Sequence, residues 1–404
     1  MRKALHVQIL VALSACKGAD HGPPMLADAG DEIAADAAAD APPPAPRCAQ
    51  VVFPALAAPP TYATGASPSS IAVADVDGDR KPDLVVASGT AMTVRVLRGN
   101  GDGTFQVDPG AEYGTGQAAT AVTVVDVSGD RKPDIVVANQ DDGTVSVLLN
   151  KGDGTFKPKV DVATNPSPAA LAIADVTGDR NPDLVVANDN SSVIGTVSVL
   201  PGDGHGAFGA KRDVATGAFP GTVAVADLNG DGKLDIVATS GGDSTVNVLL
   251  GTGSGNFAPK VDYLLRRAAV AAAIAVADLD GDGKLDIIAA DSETSRAIVL
   301  RGNGDGTFQD AVEYLVGLRP LSLAVADITG DGELDLVITS FTAGTLSILP
   351  GNGDGTFQEK LDSPAGSAPV ALAVTDLDGD RVPDVAIVNQ DAATVTVLLA
   401  QCMH

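Results

Sequence analysis

The chain has 404 residues, with 26 Lys and Arg against 52 Asp and Glu, a formal net charge of −26. So acidic a molecule repels polyanions, which sets nucleic acid aside as a partner. With no Trp, 4 Tyr, 45 Gly and an apolar content dominated by Ala, Val, Leu and Ile, it has the profile of many short strands joined by tight turns.

At the N-terminus, Arg2 and Lys3 precede an apolar stretch, Leu5 to Ala15, that is too short to span a bilayer as a helix. It ends Leu13-Ser14-Ala15-Cys16, which resembles a bacterial lipobox. That resemblance implies a lipoprotein signal peptide over residues 1–15 and lipidation of Cys16. It also implies export to the cell envelope, with Lys17 pointing to the outer membrane or cell surface. Residues 16–47 are rich in Ala, Asp and Pro and cannot bury a core; they are predicted to be a disordered tether, reaching up to ~90 Å at ~3.1 Å per residue.

The rest of the chain, residues 48–402, repeats. One Asp recurs at Asp75, Asp126, Asp175, Asp227, Asp278, Asp327 and Asp376, in steps of 51, 49, 52, 51, 49 and 49 residues. A period near fifty implies a propeller or a solenoid. Each unit carries a strand such as Ile71 to Asp75, an Asp loop, and an apolar run such as Leu84 to Ala87. An alternating strand such as Thr144 to Leu149, a glycine turn such as Gly99 to Phe105, and an irregular fourth strand follow, the last carrying Tyr113 or Tyr314 in two units. Four strands per unit without helical periodicity predict an all-β, seven-bladed β-propeller. A parallel β-helix, whose coils are much shorter, is the second choice.

The first loop, Asp75 to Asp83, has carboxylates at positions 1, 3, 5 and 9: Asp75, Asp77, Asp79 and Asp83. Alternation aims positions 1, 3 and 5 at one centre, Gly78 allows the turn between them, and position 9 returns to the centre as the next strand begins. The carbonyl of position 7, Lys81, can add an oxygen. Oxygen ligands in this number suit Ca²⁺.

The frame recurs as Asp126, Ser128, Asp130, Lys132 and Asp134, then as Asp175, Thr177, Asp179, Asn181 and Asp183. It continues as Asp227, Asn229, Asp231, Lys233 and Asp235, then as Asp278, Asp280, Asp282, Lys284 and Asp286. The last two are Asp327, Thr329, Asp331, Glu333 and Asp335, and Asp376, Asp378, Asp380, Val382 and Asp384. Among the side-chain ligands, variation falls only at position 3 and always leaves an oxygen. An EF-hand would run twelve residues to a Glu between helices, so it is rejected. Up to seven Ca²⁺ ions, mainly structural, would offset about half of the net charge.

These loops, with the glycine turns that end in Phe, resemble the FG-GAP/VCBS repeat family over about residues 50–400. The resemblance implies a seven-bladed propeller with Ca²⁺ in loops between adjacent strands of a blade. It implies no single activity.

The ends suggest how the ring closes. Phe53 aligns with the Phe of the glycine turns, so residues 48–62 read as a fourth strand arriving before its own blade, and Thr394 to Leu399 as a third strand lacking a fourth. The N-terminal strand is therefore predicted to complete the last blade, removing two open edges. Cys48 and Cys402 would then lie on neighbouring strands and, with Cys16 lipidated, form a disulfide.

No His, Ser or glycine motif has a catalytic context, and sevenfold repetition of the carboxylates argues against a single catalytic pair. Arg266 and Arg267, unusual in so acidic a chain, are expected to pair with local acids rather than hold an anionic partner. The function expected is a non-enzymatic, calcium-binding surface propeller, monomeric and membrane-bound only through its lipid, that presents a protein or glycan partner with a binding scaffold. The alternative is a polysaccharide-active enzyme or lectin using one face, although a sugar site would lack Trp platforms.

Overall fold

The computed structural model describes residues 50–53, 59–189, 194–266 and 269–403. The predicted signal peptide, the tether, Cys16, Cys48 and Arg267 lie outside the described residues. Among the described residues, seven four-stranded antiparallel sheets form the blades, with two small two-stranded pairs beside them. In the first blade, Pro68–Ala74 is followed outward by Asp83–Ser88, Thr93–Gly99 and Phe105–Gly114. Each later blade repeats this order, and the first strand of every blade touches that of the next. Pro369–Thr375 of blade 7 touches Pro68–Ala74 of blade 1, so the first strands line a closed ring. No helix among the described residues is long and apolar enough to cross a membrane.

This architecture explains the unbroken apolar runs. A blade is covered by a neighbour on both faces, so its second strand has no solvent side. Leu84, Val85, Val86 and Ala87 are all fully buried. The core is accordingly divided into seven clusters, one per seam; the cluster between blades 1 and 2 joins Val85 and Val96 to Ile135, Leu148 and Phe156. All four Tyr belong to seams: outer-strand Tyr62, Tyr113, Tyr263 and Tyr314 meet Phe105, Phe156, Phe308 and Phe357 of the following blade edge-on, at 5.2–5.5 Å between ring centres.

The alternating third strands are covered on both faces: even Ser146, Ser198, Asn247 and Ser347 are fully buried. Each donates a hydrogen bond to an outer-strand carboxylate, Asp161, Asp213, Asp262 and Asp362, at 2.6–2.7 Å. Those carboxylates also pair with Lys159, Lys211, Lys260 and Lys360. Charge on the outermost strand discourages edge-to-edge pairing with another molecule, and here the same charge satisfies a buried hydroxyl or amide.

The N-terminal segment that was expected to be one strand is divided in two. Thr61–Ala63 pairs with Thr394–Leu398 as the outer strand of blade 7. Gln50–Val52 pairs separately with Gln401–Met403, where other blades have the ladder of the glycine turn. Phe53 packs on the seam between blades 6 and 7, where its alignment with the turn Phe residues places it. The first and last described strands thus meet at what would be the last hairpin turn.

Because strands alternate in direction, the Asp loops and glycine turns share one face of the ring. The turns between second and third strands share the other with the connections between blades.

Candidate metal centres

Each Asp loop is first a set of backbone hydrogen bonds. The position-1 carboxylate accepts the N–H of position 6 in all seven loops, at 2.6–2.9 Å. The position-5 carboxylate accepts the N–H of position 7 in all seven, at 2.8–3.0 Å. To aim those amides inward, positions 4 and 6 both take positive φ. Position 4 is always Gly, as the sequence suggests. Position 6 is Gly in three loops and Arg80, Arg131, Arg180 or Arg381 in the others, each in the left-handed region at φ of 66–72°. Arg hides that requirement from sequence inspection, since such residues seldom adopt it.

Position 9 does more than return to a centre. Asp83 accepts the N–H of Val76 at 2.9 Å with one oxygen and that of Gly99, the first residue of the glycine turn, at 2.8 Å with the other. Asp134, Asp235, Asp286, Asp335 and Asp384 make the same two bonds; Asp183 reaches Thr177 and Gly202. All seven are at most 2% exposed. Burial raises their pKa, with neighbouring carboxylates such as Asp77 and Asp79 adding to the effect in several loops. Asp83 and Asp335 are pushed up to about 6 and Asp384 to about 7. Asp134, Asp183, Asp235 and Asp286 move in the same direction.

Position 3 decides where carboxylates gather. In the three loops with Asp there, oxygens of Asp75, Asp77 and Asp83, of Asp278, Asp280 and Asp282, and of Asp376, Asp378 and Asp384 lie within 4.8 Å of one another. In the other four loops Ser128, Thr177, Asn229 and Thr329 occupy that place.

Charge compensation differs too. The side chains of Lys81, Lys132, Lys233 and Lys284 pair with the position-5 carboxylates at 2.7–3.2 Å. Hydrogen bonds from Lys233 and Lys284 hold Asp231 and Asp282 below the usual carboxylate range. Arg98, near the end of the third strand of blade 1, and Arg301, just after that of blade 5, reach Asp77 and Asp280 at 3.5 and 3.3 Å. Blade 7 has Leu399 in the Arg place and Val382 in the Lys place, and burial together with Asp380 and Asp376 raises the pKa of Asp378.

The loops also bind blades together. Gly103 donates to the Leu377 carbonyl of blade 7, and Gly255 to the Val176 carbonyl of blade 3. The Asn150 side chain donates to the Val76 carbonyl. In each case the glycine turn of one blade rests on the Asp loop of the blade before it. His205 and the tripeptide Lys151-Gly152-Asp153 lie in such turns, and Arg266 pairs with Glu313 at 2.6 Å, as expected of local acids.

The FG-GAP-like repeat family matches at residues 75–137, 126–186, 175–238, 230–289, 278–338 and 327–387. No curated protein sequence matches. Among solved structures, an Agrocybe aegerita lectin described as recognising non-reducing terminal N-acetylglucosamine is 23% identical, with 81% of this chain and 87% of that one covered and a TM-score of 0.53. Virginiamycin B lyase from Staphylococcus aureus is 13% identical, covering 84% and 98%, with a TM-score of 0.57. BBS1N, solved in complex with ARL6DN, is 12% identical, covering 85% and 94%, with a TM-score of 0.59. At these identities the likeness is one of fold.

Proposed function

Because this chain belongs to the FG-GAP-like repeat family, whose repeats occupy most of its length, we propose that it is a calcium-binding, non-enzymatic propeller serving as a surface scaffold for a protein or glycan partner. The observation that carries the calcium reading is the convergence of three carboxylates within 4.8 Å in blades 1, 5 and 7. Such a set gathers negative charge and oxygen ligands at one point, which would suit a hard divalent cation. Side chains at positions 1, 3, 5 and 9 and the position-7 carbonyl would hold the ion in each loop. When bound, it would neutralise the acids and tie both ends of the loop together.

The non-enzymatic reading rests on repetition: the carboxylates recur in register, whereas catalysis needs one distinguished constellation. The scaffold reading is a class of function rather than a named ligand, and the structural likeness to a lectin keeps glycans among the partners to be assayed. Export and lipidation at Cys16 belong to the same proposal, as does the Cys48–Cys402 disulfide. For the disulfide, Cys402 lies opposite Val51, which is three residues along the chain from Cys48.

Thermal unfolding with calcium and with excess EDTA tests the first element: chelation should lower the Tm, and superimposable melts would sink it. A glycan array and a cross-linked pull-down from envelope extract, both with calcium, test the second.

A further inference from the structure

The face opposite the Asp loops is where the blades cease to be alike. The residue just before the first strand in six blades, and in blade 4 Phe219, four residues before Val223–Ala226, accepts through its carbonyl an N–H from the turn between second and third strands of the same blade; Gly89 bonds to Ser67, Gly241 to Phe219 and Phe341 to Arg319 in this way. That bond identifies seven equivalent positions around the mouth of the ring. Four are small: Ser67, Ala118, Ser167 and Ala368. The other three, Phe219, Val270 and Arg319, stand on consecutive blades 4, 5 and 6.

Their surroundings are arranged for size. A Cβ on Gly241 would lie 3.4 Å from Val270, and one on Gly242 would lie 2.7 Å from the Phe219 ring, so the paired glycines leave room for both side chains. Phe219 remains 43% exposed, Val270 37%, and Leu318, beside Arg319, 60%. The Arg319 guanidinium lies over the ring of Phe341, 4.7 Å from its centre. Nearby, Arg266 and Arg296 share Glu313. Arg319 has no carboxylate partner among the described residues.

We infer that this arc is a docking site for an extended segment of a protein partner that presents one carboxylate beside apolar side chains. The inference rests on the scaffold reading and gives it a place and a chemistry. A guanidinium stacked on an aromatic ring keeps its N–H edges free for a carboxylate, and the ring fixes its plane. Phe219, Val270 and Leu318 offer exposed apolar side chains on the same arc. The net charge of −26 disfavours an extended polyanion, so the complement is a compact acid with apolar flanks.

Phage-displayed random heptapeptides, selected against the full chain in calcium, provide the probe. Convergence on Asp or Glu next to Leu, Ile or Phe is expected. A synthetic peptide of that sequence should bind Arg319→Ser and Phe219→Ser at least ~tenfold more weakly. Ser stands at this position in blades 1 and 3, so the backbone tolerates it, and unchanged melting curves verify folding. Met92→Ser, at an exposed apolar site on blade 1 of the same face, should leave binding unchanged. Selected peptides that bind all variants equally overturn the arc but leave a scaffold standing. Absence of convergence overturns the arc, and glycan binding lost in Arg319→Ser overturns the partner class. If neither the array nor the pull-down finds a partner, the scaffold reading itself fails.

Discussion

Within a loop, the carboxylates at positions 3 and 9 have different work. Asp384 satisfies two buried amides whether or not a cation is near. Asp378 is expected to matter mainly as a ligand. Asp384→Asn puts an NH₂ against one of those amides and should cost roughly 1–3 kcal/mol in EDTA, and more in calcium, where a ligand is lost as well. Asp378→Asn should lower the Tm in calcium and leave the melt in EDTA nearly unchanged. Equal losses for both variants in EDTA would show that position 3 is structural too.

The buried position-9 acids also set a pH dependence. Their folded pKa values exceed the unfolded ones, so the folded state binds more protons between about pH 4 and 7, and their contribution falls as pH rises through that window. Surface acids held low by Lys, such as Asp231 and Asp282, are ionised throughout it and do not offset the trend. In EDTA the Tm should therefore be higher at pH 5 than at pH 7, and calcium should reduce or reverse that difference by favouring the ionised form. A Tm in EDTA that rises between pH 5 and 7 would contradict the burial argument.

At the scale of the strand, position in the blade outweighs residue type. Leu184, in a second strand, is fully buried between blades 2 and 3, whereas Leu361, in an outer strand, is 59% exposed. Leu184→Ala should cost roughly 2–5 kcal/mol in chemical denaturation, and Leu361→Ala within about 0.5 kcal/mol. Similar costs would mean that the outer strands pack against something further. The buried Ser and Asn of the third strands show the limit of reading by alternation. A period of two predicts a wet face for them, but in a propeller that face meets the preceding blade, and the Asp of the adjoining outer strand keeps the polar group satisfied.

For the whole molecule, stability depends on closure. The Tyr62–Phe105 contact joins blade 7 to blade 1 with the geometry found at three other seams, and Tyr62 comes from the N-terminal strand. A chain beginning at Gly65 loses that strand and leaves Thr394–Leu398 as an open edge. It should melt lower and self-associate on size-exclusion chromatography. A monomer with an unchanged Tm would mean that the ring does not need its clasp.

What the sequence by itself determined is everything governed by local spacing. The number of blades, the register of the Asp loops, the strand order and the meeting of the chain ends follow from a pattern that recurs about every fifty residues. Tertiary structure decided what depends on neighbours brought together across blades. It made position 9 a tie to a glycine turn sixteen or more residues away and buried the third-strand hydroxyls. It also aligned Phe219, Val270 and Arg319, residues about fifty apart in the chain, on one side of the ring mouth. A repeat encodes its own strands and loops; only ring closure specifies which residues of separate repeats share a face, because that juxtaposition has no counterpart in sequence distance.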